Sequence, residues 1–283
     1  MTQTTLTPHT VPHADPSRVR GRLSFDGVLR GEWIKLLALR SIRWSVAIMV
    51  ILSWSGAALI AWAFASGETA SAEILPHYLV QTATLGSAFT VLIMGVIGVL
   101  AITNEYASGL ILSTFAAVPR RSPVLAAKAL SVAALALAVG ALGMFGSALL
   151  AAAIFGADGF AALARPEVLV SLLSTTVYLA LAALFALAVG TLLRSSAGAI
   201  AVVVVLYFVA PIAMQIMMMT GWEWVVDVSN WLPANLGSVV AQTPVSPDFS
   251  GPVGYWGAMG GLLAWSAVPF VPAAILLKTR DAV

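Results

Sequence analysis

The chain has 283 residues, of which 60% are hydrophobic and only 9% charged, and its mean hydropathy is +0.97. A soluble domain carries roughly 25% charged residues, so this composition excludes an ordinary water-soluble globule. There are no cysteines, which rules out disulfides, thiolate metal sites and cysteine nucleophiles.

Residues 1–24 are polar and contain Pro8, Pro12 and Pro16. They read as a short disordered cytoplasmic tail rather than a cleavable signal peptide, because no apolar run begins before Arg43. Residues 25–43 follow with Phe25, Val28, Leu29, Trp33 and Leu36 at helical spacing, while Asp26, Arg30 and Arg40 lie largely to another side. Basic side chains with a tryptophan at the edge suit an interfacial helix in the headgroup plane, with Glu32, Trp33 and Lys35 its notable members. The same stretch also fits a plain basic stop ahead of the first span. Glu32 falls within the apolar stripe, and a local ion pair with Lys35 or Arg40 is the expected role.

Six apolar runs are long enough to cross a bilayer core. They are expected at residues 44–65, 78–103, within 124–155, 168–193, 199–220 and 255–277. The third run exceeds what a bilayer requires, so its first turns are placed in the cytoplasm. Residues 156–167 form a short outer loop, with Pro166 set to open the fourth helix. The tight turn Arg194-Ser195-Ser196-Ala197-Gly198 separates the fourth run from the fifth.

Charge placement fixes the expected orientation. With the N-terminus inside, Arg165 alone of the 14 basic residues falls outside, while Glu68, Glu73, Asp158, Glu167, Glu223, Asp227 and Asp248 all do. This is a strong positive-inside pattern. The expected fold is therefore an all-α integral membrane protein with six transmembrane helices and both termini cytoplasmic.

Pro211 in the fifth run, and Pro269 and Pro272 in the sixth, each remove a backbone donor, so kinks are expected there. Gly86, Gly95 and Gly98 in the second run, and Gly140, Gly143 and Gly146 in the third, offer small faces for close packing. Residues 221–254 are long for a connection and carry Trp222, Trp224 and Trp231 among prolines and polar residues. Short helices dipping into the outer leaflet fit this better than a free loop. Beside them, Met214, Met217 and Met218 read either as packing or as a candidate substrate path.

Residues 104–128 are an island of charge between two apolar runs, with Glu105, Arg120, Arg121 and Lys128. A short helix closed by a Pro-Arg-Arg turn under the membrane reads as a docking element for a cytoplasmic partner. Basic residues that merely enforce topology and bind anionic lipid are the simpler account. Catalytic chemistry has little to work with. The only histidines are His9, His13 and His77, no carboxylate pair lies inside a span, and no phosphate-binding glycine loop is present. Energy for uphill transport must then come from a partner.

The segments GEWIKLLALRSIRW (31–44), NEYASGLILSTFAAVPRRSPVLAAK (104–128) and WLPANLGSVV (231–240), in this order, carry a likeness. From about residue 25 to the end, the chain resembles the permease subunits of ABC-2-type ABC transporters, particularly short permeases of high-GC Gram-positive bacteria. The resemblance implies a transmembrane permease domain over 25–283 in a bacterial cell membrane. It implies a homo- or heterodimer of permeases, each engaging a separate ATPase subunit that binds ATP and magnesium. Residues 104–128 would be the coupling loop, in which Glu105, Gly109, Pro119, Arg121 and Lys128 match family positions and Arg120 lies beside them. Arg194 and Ser195 would make a second cytoplasmic contact, and residues 221–254 would supply outer re-entrant helices before the last span. The chain itself would be no enzyme, would bind no cofactor, metal or nucleic acid, and would export a hydrophobic or amphipathic substrate. A secondary transporter, and a membrane sensor or immunity component, are the alternatives; the first would need a coupling-ion site at the midplane.

Overall fold

In lipid a chain must satisfy its backbone hydrogen bonds internally, and a sequence without closed strand patterns does so only as helices. The computed structural model describes residues 24–66, 73–118 and 121–279, and these are helical throughout, joined by short turns. In order the helices are α1 (Phe25–Ala38), α2 (Arg40–Ala65), α3 (Leu75–Leu85), α4 (Ser87–Ala107), α5 (Leu110–Ala117), α6 (Arg121–Phe155) and α7 (Ala157–Leu163). They continue with α8 (Pro166–Leu193), α9 (Ser196–Val204), α10 (Ala210–Met217), α11 (Glu223–Asn230), α12 (Pro233–Gln242), α13 (Gly254–Ala267) and α14 (Phe270–Thr279). Among the described residues, six helical stretches are long and apolar enough to span a membrane. They are Arg40–Ala65, Leu75–Ala107, Ser122–Phe155, Pro166–Leu193, Ser196–Thr220 and Gly254–Leu277.

Ser24, grouped in sequence with the tail, instead opens α1: its hydroxyl accepts a hydrogen bond from Gly27 N at 3.2 Å. The remainder of the expected tail, 1–23, lies outside the described residues. Leu39 is extended (φ −70°, ψ 116°) and breaks the chain between α1 and α2. The segment expected to lie at the interface is thus a separate helix rather than an extension of the first span.

The second span is longer than expected and divides at Gly86, where α3 passes into α4. α6 has 35 residues; at ~1.5 Å per residue it is about 50 Å long, well beyond the ~30 Å of a hydrocarbon core. Residues 156–167, expected as a plain loop, contain the short helix α7, packed so closely that Gly159 faces the Ala152 carbonyl and the Phe155 side chain. Pro166 opens α8 as its position in the sequence implied.

α8 is the centre of the bundle and is the most buried of the spans. It meets α4 at Gly98, where backbone approaches backbone against the Ala183 carbonyl, and again where Gly190 lies on Val99 and Ile102. The first span is locked to α6 by Ser53, 2.8 Å from Ser147, and by Trp54 Nε1, which donates to the Leu142 carbonyl at 3.2 Å. Trp54 lies over Gly146, which leaves it room.

Two of the three prolines interrupt their spans as expected, whereas Pro272 lies in the first turn of α14, where its missing donor removes no intrahelical bond. Ahead of Pro211 the fifth span opens into a π-helical turn over Val205–Val209, a local widening that accommodates the missing donor. The sixth span breaks between α13 and α14 at residues 268–269, next to Pro269. Two short helices, α11 and α12, occupy the tryptophan-rich segment. α12 is inserted into the bundle: Leu236 and Val240 are buried, Gly237 packs on the Tyr178 ring, and Gln242 donates to Thr84 at 3.2 Å.

Candidate functional site

Three elements that are distant in sequence converge where the first span begins and the second ends. On α1, Val28, Glu32 and Leu36 recur every fourth residue and face inward, with Leu29 and Trp33 beside them, whereas Arg30 is exposed. Glu32 and Leu36 are buried; Trp33 is half-buried against the core. The last turns of α4 bring in Ala101, Thr103 and Glu105, and the start of α6 brings in Lys128, all buried. Gly109 is left-handed (φ 71°), which ends α4 and turns the chain into α5. On α5, Ile111 is buried and Thr114 half-buried, while Leu110 and Leu112 are exposed.

These groups form a closed ring of alternating charge. Lys128 Nζ contacts Glu32 Oε2, Glu105 Oε1 at 2.9 Å and the Ala101 carbonyl at 3.0 Å. Lys35 Nζ contacts Glu32 Oε1 at 2.7 Å, Glu105 Oε1 at 3.2 Å and Thr114 Oγ1 at 3.1 Å. An ammonium has three donors, and each lysine uses all of them here. The ring therefore ties α1, α4, α5 and α6 together.

The charges cancel within the set, which is what makes burial tolerable. An isolated buried ion costs several kcal/mol, and only good geometry with satisfied hydrogen bonds offsets that. Lys128, Glu32 and Glu105 side chains are 4%, 3% and 8% exposed, while Lys35 at 39% forms the open edge. Partial burial acts to lower the Lys35 pKa, but hydrogen bonds and attraction from Glu32 and Glu105 outweigh it and raise the value above its ordinary 10.5.

The tight turn at 194–198 reaches the same piece of α4. Arg194 is left-handed (φ 52°), and its guanidinium lies 5.2 Å from the centre of the Tyr106 ring. Ser195 caps α9 by accepting from Gly198 N at 3.3 Å, and Ser196 Oγ donates to Thr103 Oγ1 at 2.8 Å. Both expected cytoplasmic contacts thus hang on residues 101–106.

The residues singled out by sequence separate into groups. Glu32, Lys35, Glu105 and Lys128 meet in the ring, Gly109 makes its turn, and Arg194 and Ser195 stand beside it. Pro119 and Arg120 lie outside the described residues; Arg121 is the first residue of α6. Met214 and Met217 are half-buried and Met218 exposed on the fifth span, away from the ring. Sequence reasoning paired Glu32 only locally and missed Thr114, Thr103 and Ser196. A carboxylate inside an apolar stripe was the available signal, since such a group needs a partner from across the bundle.

No curated protein matches the chain. The sequence profile described as ABC-2 family transporter protein matches residues 28–210, which runs from α1 through all the ring members to the start of α10. That is more than half of the chain, and the protein belongs to the ABC-2 transporter family as a multi-pass membrane component.

Proposed function

We propose that the chain is the permease subunit of an ATP-driven exporter, working as a dimer in the bacterial cell membrane with a separate ATPase on each copy. ATP and magnesium are then held by the ATPase. The cargo is hydrophobic or amphipathic, in keeping with spans that show no ion pair at mid-height among the described residues and with the exposed Trp222, Trp224 and Trp231. The charge count along the sequence supports placing the ring and both termini in the cytoplasm.

The observation that carries this reading is the hydrogen bond from Lys35 to Thr114, which joins α5 to the ring that holds α1, α4 and α6 together. An ATPase seated on the exposed Leu110 and Leu112 pushes on an element that cannot yield by itself. Motion of α5 then becomes tilt of α1, α4 and α6 together. Gly86, the π-helical turn and the break at Pro269 are the points where the spans absorb it.

The test is reconstitution with an ATP-binding subunit that co-purifies with this chain, reading ATPase activity with and without the permease. Leu112→Asp changes an exposed residue and leaves the fold intact, and it is expected to abolish stimulation. Glu105→Lys is expected to insert in the membrane and to abolish it as well. Full stimulation by both variants overturns the coupling role.

A further inference from the structure

The first span opens on two arginines. Arg40 and Arg43 stand about one helical turn apart on α2, with Trp44 and Ala47 on the same face, and together they line an open groove of about 510 Å³. Both arginines are exposed, and neither has a carboxylate partner among the described residues. In this they differ from Lys35 and Lys128, whose charges are cancelled inside the ring. No acid lines the groove among the described residues, so its two positive charges stand unopposed.

Arg40 is the first residue of the span, which sets the guanidinium groups at headgroup level. Trp44, 70% exposed, follows one turn further in, where an indole suits the boundary between headgroups and hydrocarbon. Ile48 and Ile51 continue the exposed face. Ala47 is too short to fill the space between Trp44 and Ile51. The face thus changes from cationic to aromatic to aliphatic over about 16 Å of helix, at ~1.5 Å per residue. An amphiphile with a negative head and an aliphatic tail has the same order. A soluble anion would use only the start of this stripe, and an apolar helix only its end.

We propose that this groove binds an anionic phospholipid of the phosphatidylglycerol class. Its phosphodiester accepts paired N–H bonds from Arg40 and Arg43, and the upper part of an acyl chain lies beside Trp44 against Ala47, Ile48 and Ile51. Guanidinium forks match phosphate oxygens in a way that a compact ammonium does not. Phosphatidylcholine brings the same phosphate, but its choline adds a positive charge to a groove that holds no acid. The bound lipid fixes the depth of the joint at Leu39, where α1 passes into α2. The inference rests on the membrane-spanning fold and not on the ATPase reading, so either can fail alone.

The chain has no cysteine, so Ile48→Cys carries a single bimane label beside the groove. Val202→Cys, exposed at a similar depth on the fifth span, carries the label in a control preparation. Each labelled protein goes into phosphatidylcholine nanodiscs containing a graded fraction of brominated phosphatidylglycerol or brominated phosphatidylcholine, at physiological salt. At position 48 half-maximal quenching is expected at a roughly 30-fold lower fraction of the glycerol lipid, because each arginine near a membrane surface contributes about fivefold. At position 202 the two lipids are expected to quench alike. Arg40→Gln and Arg43→Gln change exposed side chains without an ion-pair partner; each is expected to lower the ratio about fivefold, and the double variant to abolish it. Equal quenching by both lipids at position 48, an equal preference at position 202, or a preference that survives the double substitution overturns the proposal. Loss of the preference in millimolar inorganic phosphate at constant ionic strength overturns it in favour of a soluble anion. Absence of quenching by either lipid at position 48 overturns it in favour of a second copy of the chain covering this face.

Discussion

Glu105 and Lys128 lie 2.9 Å apart across 23 residues of chain, and the same Glu105 oxygen also receives Lys35 at 3.2 Å. One carboxylate oxygen thus serves two ammonium groups from two different helices. The consequence is that no pair in this site is a private one. Each charge has two neighbours of opposite sign, and the order around the ring is Glu32, Lys35, Glu105, Lys128.

That order predicts how charge swaps behave. For an isolated ion pair, exchanging the two residues restores attraction. Here Glu105→Lys combined with Lys128→Glu sets the new lysine against Lys35 and the new glutamate against Glu32. The double swap is expected to be no more stable than the worse single variant. Breaking one partner of a buried pair costs about 3–5 kcal/mol, so each single variant lowers the melting temperature in detergent clearly. Inverting all four charges recovers part of the loss, though not all, because the Ala101 carbonyl then lacks its donor. Thermal unfolding of the set forms a mutant cycle; rescue by the double swap would show that the pairs act independently.

The two lysines are expected to contribute unequally to stability. Lys35 has a raised pKa, so its folded state holds the proton more tightly than the unfolded chain does. The stability it gives is fully present below its ordinary value of 10.5 and is lost as pH rises through the still higher folded value. The gap in melting temperature between wild type and Lys35→Met is therefore expected to stay flat through neutral pH and to shrink only in strong alkali. It is also expected to be small, because the exposed edge of the ring is screened by solvent. Lys128→Met, which removes a buried cation, gives the larger gap. A Lys35 gap that changes between mildly acidic and neutral pH would contradict this assignment.

Most of the span layout was legible because lipid imposes a simple rule on sequence: long apolar runs become helices, and proline interrupts them. Pro166 at the start of α8 and the π-helical turn before Pro211 follow directly. Gly86 did not announce itself, since a glycine in an apolar run marks a bend or a packing face equally well. α7 was missed because its seven residues are too few to show a period. In the candidate site, Glu105 and Lys128 were conspicuous as charges between apolar runs. Their joining to Glu32 and Lys35 was not, because those contacts reach across 70 and 96 positions. Helical spacing says which way Glu32 points on α1; it does not say what α1 lies against.

Gly109 tests whether the turn into α5 matters by itself. Its φ of 71° is left-handed, and a Cβ placed there meets no atom within 4 Å. Any cost of substitution is then conformational, on the order of 1 kcal/mol for alanine. Asparagine tolerates this region better. Gly109→Ala is expected to lower stimulation of the partner ATPase and Gly109→Asn to restore most of it, with little change in melting temperature for either. Equal loss in both variants would point to a contact made by the glycine surface instead.

The close approach of α4 and α8 gives the sharpest contrast between two glycines. At Gly98 an added Cβ runs into the Ala183 carbonyl and its carbon, both backbone, so the helices themselves must part. At Gly140 the nearest atoms are side-chain carbons of Leu179 and Thr176 at 3.5 Å, ordinary contact distance. Alanine in place of glycine in a helix gains up to about 1 kcal/mol from propensity. At position 140 that gain stands unopposed, and Gly140→Ala is expected to be neutral or slightly stabilising. At position 98 overpacking costs about 1–3 kcal/mol, and the separation spreads along α4 toward Glu105. Gly98→Ala is therefore expected to lower the melting temperature, and to raise amide hydrogen exchange in the last turns of α4 as well. Equal melting temperatures for the two variants would mean that α4 and α8 are not held in this close contact.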